Sequence, residues 1–424
     1  MGYDIYELLQ SPSLSRNCCD FDLPMSDYSC SYNYTKTEYL QEKLYFVAVA
    51  GSCVAFLGIT SAFTLMCVLF RPILRESYVL YLGVLSVLDL IVSILYVTNF
   101  SVQILYDYYD SVDVFTAWCG YITFTFVLGR ICKLASSYLV VAATWERYWE
   151  TQQFTNTLAT KLAVLGVGKL VRSARLSEDV KGKAFVREKR LCLVVSILTI
   201  AILLKGSSYW EISVVKHPQC TGFNSLELRP STLARNPVYN KVVAFYGTHI
   251  LQVFTPFVSL LVLNTAVIRA HWKQGTFRKN FLHPSAFNRQ SFFEMCNSWS
   301  AEMRLKMRRR RNIRDATLTL VSVASCYLVT NCLGILITIF EHADDALLRE
   351  NRKFYTFAVD TSNILFILNG ILRFPIYYFC HTKIRVGIRL LICEKIQQAR
   401  RKRFDMRSTA SQCGSCERIT QTYL

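Results

Sequence analysis

The chain has 424 residues, 52% of them hydrophobic, with a mean hydropathy of +0.26. It carries 48 Lys and Arg against 30 Asp and Glu, a formal charge of +18. A soluble domain needs no series of bilayer-length apolar runs, and a basic nucleic-acid binder does not place its charges between such runs, so both classes are excluded.

A membrane-crossing helix takes about 20 predominantly apolar residues. Residues 1–43 are instead polar and acidic, with Asp4, Glu7, Asp20, Asp22 and Asp27. They lack the apolar core of a cleavable signal peptide, so the first run, Leu44–Phe70, is expected to serve as the insertion signal. Asn33-Tyr34-Thr35 matches the N-glycosylation pattern, and Asn99-Phe100-Ser101 matches it again at the end of the second run, Tyr78–Phe100. That second run holds Asp89. An ionised carboxylate at such a depth is costly, so it is expected to face other helices and find a cation, polar groups or water. A protonated structural aspartate is the alternative.

The third run, Tyr121–Trp145, is the one around which the chain is organised. Arg130 and Lys133 lie within it. Lys133 stands fourteen residues before Arg147, about 21 Å along a helix. That is the depth of a pocket, where an inward cation needs an acid or a ligand oxygen. Snorkelling to the headgroups is the alternative, easier for Arg130 than for Lys133. Glu146-Arg147-Tyr148 stands where the helix leaves the apolar zone. Adjacent residues do not stack on a helix, so Arg147 is free to pair elsewhere when neighbouring helices rearrange. Cys119, just before the run, is expected to bridge Cys220 in a later loop. Cys18, Cys19 and Cys30 are the alternative partners.

Trp149–Arg190 is a long basic segment whose apolar part, Leu162–Val171, is too short to cross a bilayer and suits the membrane surface; an insertion without a role is the alternative. The fourth run, Leu191–Leu204, reaches spanning length by continuing past Lys205 to Ile212, with the lysine expected to snorkel outward. The fifth is Val242–Ile268, the sixth Ala316–Phe340 with Glu341 at its end, and the seventh Phe354–Tyr378 with Asp360, Asn369 and Arg373. After it, His381–Cys393 is amphipathic, with Ile384, Ile388, Leu391 and Ile392 suited to a bilayer surface and Cys393 placed for palmitoylation. The expected fold is an all-α membrane protein, a seven-transmembrane helix bundle with a short amphipathic helix after the seventh span.

Basic residues follow the first span, fill the segment after the third, crowd Arg304–Arg314 and fill the tail. Asp107, Asp110 and Asp113 lie on the side of the acidic N-terminal segment. The distribution predicts an extracellular N-terminus and a cytoplasmic C-terminus. No metal-ligand cluster, nucleophile–base pair or phosphate-binding glycine loop is evident, so neither an enzyme nor a cofactor is expected. No inverted repeat suggests a transporter.

The order of these features resembles the rhodopsin-like G protein-coupled receptors, and within them the invertebrate FMRFamide-type neuropeptide receptors. The resemblance covers roughly residues 57–393 and rests on several stretches. They are Arg71-Pro72 with Leu85-Ser86-Val87-Leu88-Asp89, Ala135-Ser136-Ser137 leading to Glu146-Arg147-Tyr148, and Tyr209-Trp210-Glu211. Arg235-Asn236-Pro237-Val238-Tyr239, Thr330-Asn331 with Glu341, and Ser362-Asn363 through Asn369-Gly370 to Tyr377 complete it. The chain departs from the pattern at Gly58-Ile59-Thr60-Ser61-Ala62, where an asparagine is usual, and at Arg373-Phe374, where asparagine and proline are usual.

The resemblance implies a plasma-membrane receptor that binds an extracellular, amidated neuropeptide and activates a heterotrimeric G protein, with Glu146, Arg147 and Tyr148 as its switch. Glu211, Glu341 and Asp360 are then candidate partners for a cationic ligand group, Arg130 and Lys133 for an acidic or carbonyl one. Asp89, Ser136 and Asn369 would surround a position that often holds sodium, and Arg373 would replace the ion with a salt bridge to Asp89. Turning Arg373 towards water or headgroups is the alternative. The basic stretches are expected to meet anionic membrane lipid. A chemosensory receptor of the same fold for a small, anionic molecule is the second reading.

Overall fold

The computed structural model describes residues 32–70, 79–164, 178–236, 249–281, 318–337, 351–380 and 384–390, with a few single positions between them. Among them are seven helices long and apolar enough to cross a membrane. We label these α1 (Leu40–Leu69), α2 (Leu80–Tyr109), α3 (Val112–Val164), α4 (Glu178–Gly206), α5 (Thr255–Phe281), α6 (Leu318–Ile337) and α7 (Arg352–Cys380).

Their packing inverts that of a soluble protein. Large apolar side chains point outward, Leu57 at 61% exposure, Leu203 at 74% and Val329 at 73%, while Arg373, Asp89, Arg130 and Lys205 are buried. Water penalises such an exterior and hydrocarbon does not. Continuous helices also satisfy their own backbone groups, the condition for entering lipid.

Close approach of the helices depends on glycine. A methyl group at Gly58 of α1 would lie 2.6 Å from Ser93 Oγ of α2, and one at Gly370 of α7 would lie 3.3 Å from Asp89 Cγ. Small residues of this kind let membrane helices pack backbone to backbone. Towards the end of the bundle away from the N-terminus, Leu65, Val68, Leu85, Leu139, Val323 and Tyr377 form one core cluster. Ile384 and Ile388, expected on a bilayer surface, are buried in that same cluster, because the short helix at 384–390 turns its apolar face to the bundle. Leu391, Ile392 and Cys393 lie outside the described residues.

Two expectations are amended. The chain is not purely helical: after the tight turn Ser207–Trp210, strands β1 (Ile212–Lys216) and β2 (Leu226–Pro230) pair antiparallel, Ile212 opposite Pro230 and Lys216 opposite Leu226. Gly222, with φ +66°, supplies the left-handed residue between them. Past Tyr148, α3 continues unbroken to Val164 and α4 begins at Glu178, while residues 165–177, with most of the Leu162–Val171 stretch expected at the membrane surface, lie outside the described residues. Finally, α2 does not stop at Phe100. It passes through a π-helical stretch, Val97–Ser101, and ends at Tyr109, where Asp110 takes a left-handed conformation.

Candidate functional site

At the end of the bundle carrying the β-ribbon, residues 32–39 lie across the helices as a strap. Tyr34 is its anchor. Its ring packs with Phe115 and Phe223 at centroid separations of 5.3 and 5.1 Å, and its hydroxyl donates to Asp107 Oδ1 at 2.5 Å. Burial, with Tyr106 and Asp107 close by, pushes the Tyr34 phenol far above its usual range, so it remains a proton donor. Thr37 donates to the other oxygen of Asp107 through both its backbone N–H and its hydroxyl. Lys36 pairs with Asp110 and Glu38 with Arg352. Asp107, read in the sequence as part of an acidic surface, is thus buried beneath the strap at 1% exposure.

Under the strap lies a cavity of 180 Å³ bordered by Tyr34, Gln103, Trp118, Phe126, Asp360 and Asn363, among others. A smaller cavity of 40 Å³ shares Asn99, Phe100, Phe126 and Asn363 with it and reaches Arg130, Lys133 and Gln252. The two lie one below the other between α1, α2, α3 and α7, as the upper and lower parts of a pit that the four shared residues border. At its floor Lys133 Nζ donates to Asn363 Oδ1 at 2.8 Å and stands 5.5 Å from the centre of the Phe366 ring.

The remaining charges divide differently from expectation. Arg130 and Glu211, assigned to ligand groups of opposite sign, bind each other at 3.1 Å, and Glu211 also accepts from Ser208 at 3.0 Å and Tyr239 at 3.1 Å. Two buried charges that meet satisfy one another before any ligand arrives, so neither is an open contact. The cluster includes Lys205, 5% exposed, where snorkelling outward was expected. Asp360 lines the upper cavity with Lys43 at 3.9 Å, whereas Glu341 lies outside the described residues.

The two sequons differ. Asn33 is exposed on the strap. Asn99 is 6% exposed and lines both cavities, because the π-helical stretch turns it inward, so a glycan has no room there. The expected Cys119–Cys220 bridge is also corrected: Cys119 is a buried free thiol, and Cys220 is disulfide-bonded. Cys119 packs instead with Tyr106, Phe115 and Trp118, while Cys18, Cys19 and Cys30 lie outside the described residues.

Halfway along the bundle, Arg373 of α7 forms a buried salt bridge to both oxygens of Asp89 and donates to Ser136 Oγ at 3.4 Å. Asn369, 1% exposed, belongs to the same helix face, and neither its oxygen nor its nitrogen has a hydrogen-bond partner. Nearer the pit, Tyr327 of α6 donates to Ser137 Oγ at 2.8 Å, and Ser137 donates to the Lys133 carbonyl at 3.0 Å. Tyr138 donates to the Leu251 carbonyl at 2.9 Å. These bonds tie α3 to α6 and to the chain leading into α5. At the far end Glu146 pairs with Arg190 of α4, Arg147 is buried at 6% exposure, and Tyr148 is half-buried.

Gln252 and Tyr327 were not singled out from the sequence. A usable signal existed for Gln252, a lone amide within an apolar run. Tyr327 carries no such signal, because a tyrosine in a membrane helix is unexceptional until its neighbour is known. No family model and no curated protein matches the chain.

Proposed function

We propose that this chain is a cell-surface receptor of the rhodopsin-like type, in the plasma membrane with its N-terminus outside and its C-terminus in the cytoplasm. In this reading it binds an extracellular peptide of the FMRFamide-like class in the pit beneath the strap and activates a heterotrimeric G protein. The observation that carries the proposal is the pairing of a strapped cavity at one end with a buried arginine, Arg147, at the other end of the same helix.

A ligand moves such a bundle only by binding one arrangement better than another. The bonds Tyr327–Ser137–Lys133 run from α6 to the cavity floor, so a ligand touching Lys133 bears on the helix that would swing. With Glu146 held by Arg190, Arg147 is left to exchange partners when α6 moves. The basic approach to α6 would then face the G protein and anionic lipid. Asn33, exposed on the strap, suits glycosylation in this orientation.

The test is a G protein activation assay in cells, screening amidated peptides against the receptor and an Arg147→Ala variant. Activation of the first and loss in the second, at equal surface expression, is the expected result. Silence across the panel from a receptor shown at the surface would overturn the peptide reading. Lys133 on the floor of a 40 Å³ cavity favours, as the second reading, a chemosensory receptor for a small anion. Activation by carboxylates of a few atoms, with none by peptides, would identify that case.

A further inference from the structure

The strap is held in an uneven way. Tyr34, Thr35, Thr37 and Glu38 form part of the wall of the upper cavity, so whatever enters from that end meets them first. Residues 32–37 take neither helix nor strand, and side-chain contacts hold them in place of a ladder. Three of those contacts converge on Asp107 of α2, which accepts from the Tyr34 hydroxyl and from the N–H and hydroxyl of Thr37. Two further ties, Lys36–Asp110 and Glu38–Arg352, are exposed ion pairs, each of little worth in water. Where the strap meets α1, Tyr39 has φ +53°, a left-handed conformation that a bulky residue rarely adopts by itself. The strap's anchors impose that turn, and their release lets Tyr39 return to an ordinary conformation.

We propose that the strap is a latched lid, closed in this structure, which turns about Tyr39 and opens the upper cavity when Tyr34 and Thr37 let go of Asp107. Hydrogen bonds to a charged acceptor are about twice as strong as neutral ones, so the buried carboxylate outweighs the exposed ion pairs. Because one group receives three bonds, losing some of them leaves Asp107 short of donors where water is scarce. The bonds are therefore made and broken together, as a latch requires. Opening also empties the seat of the Tyr34 ring between Phe115 and Phe223. That loss of apolar burial makes the closed form the resting one. A ligand that covers the same rings offsets the loss and holds the lid open.

The lid governs entry to the cavity that the receptor reading gives to a peptide, and its test uses neither peptide nor signalling. Gln103, 6% exposed, lines the upper cavity and serves as the reporter position. The full-length protein carrying Gln103→Cys is placed in nanodiscs and treated with a small charged methanethiosulfonate, and modification of that peptide is followed by mass spectrometry. With the strap unaltered, the rate should be slow and level off as reagent is raised, because opening limits it. Tyr34→Phe keeps the ring and removes one bond to Asp107, and should speed modification about tenfold. Asp107→Ala removes all three and should speed it further. Lys36→Ala and Glu38→Ala should stay within about twofold of the parent. Fast modification beneath the unaltered strap overturns the lid. A rate unmoved by Tyr34→Phe and Asp107→Ala, or raised as much by Lys36→Ala or Glu38→Ala, overturns the latch. Where Asp107→Ala lacks a cooperative thermal transition, Tyr34→Phe decides alone. A latch that behaves as expected in a protein silent to every peptide leaves the lid standing and removes the receptor reading alone.

Discussion

Asp89 and Arg373 illustrate how a residue that is costly alone becomes tolerable in company. Each charge buried singly would lose its hydration, and together they return part of that loss through a two-oxygen contact. Removing one partner leaves the other stranded, so Asp89→Ala and Arg373→Ala should each destabilise the protein by about 3–5 kcal/mol. The paired replacement Asp89→Leu with Arg373→Met should cost less than either, as read from thermal midpoints of the purified protein in nanodiscs. On the receptor reading proposed above, the guanidinium stands where a cation would otherwise meet Asp89, so agonist affinity should be the same in sodium and in a bulky organic cation at equal ionic strength. A sodium-dependent loss of affinity would show that Arg373 does not hold that position in the membrane. Both residues stand out in the sequence as charges inside apolar runs, whereas Ser136 and Asn369 were expected around them only through the family resemblance.

At the scale of the element, α1 and α2 are joined where their side chains are smallest. Gly58 faces Ser93, whose hydroxyl is already committed to the Asp89 carbonyl at 2.8 Å, so the space for a new methyl group must come from the helices themselves. Gly58→Ala should lower stability by about 1–3 kcal/mol, the usual cost of overpacking. Ser93→Ala in the same chain should restore part of it by removing the oxygen that the methyl group meets. A thermal midpoint unchanged by Gly58→Ala would mean that the two helices are not held at this separation. The element boundaries show where local signals end. Leu44–Phe70 and Tyr78–Phe100 mark the apolar parts of α1 and α2, yet α2 runs on to Tyr109 because Tyr106 and Asp107 are buried by the strap and by α3. The β-ribbon likewise depends on two five-residue stretches that meet only after α4 has delivered the chain to that end.

For the whole molecule, the inverted distribution of polarity makes the strongest physical case for a multi-pass membrane protein. Cys53, Cys192 and Cys332 are exposed free thiols on α1, α4 and α6, on faces that hydrocarbon would cover. A membrane-impermeant maleimide should leave all three unlabelled in intact membranes and label them after denaturation in detergent. Rapid labelling of any of them in sealed vesicles would place that face in water. Such thiols add no stability through pairing, so their exposure to lipid costs nothing and their reactivity becomes a clean report on topology.

Sequence alone determined the number of membrane-length segments, their order and the positions of the charges within them, because hydropathy and burial cost are local properties of a stretch of chain. Asp89, Arg130, Lys133 and Arg373 were legible for that reason. The Asp89–Arg373 pair was expected from the resemblance, but the partners of Arg130 and Lys133 were decided by the tertiary structure. Arg130 meets Glu211 across 81 residues and Lys133 meets Asn363 across 230, contacts that depend on which helix faces turn inward and at what height. The same limit explains Cys119, whose place just before the third run suggested a bridge but whose burial among aromatic rings depends on how α2 and α3 pack together. Periodicity and composition describe a helix one at a time, whereas the partners of a buried group are a property of the packed bundle.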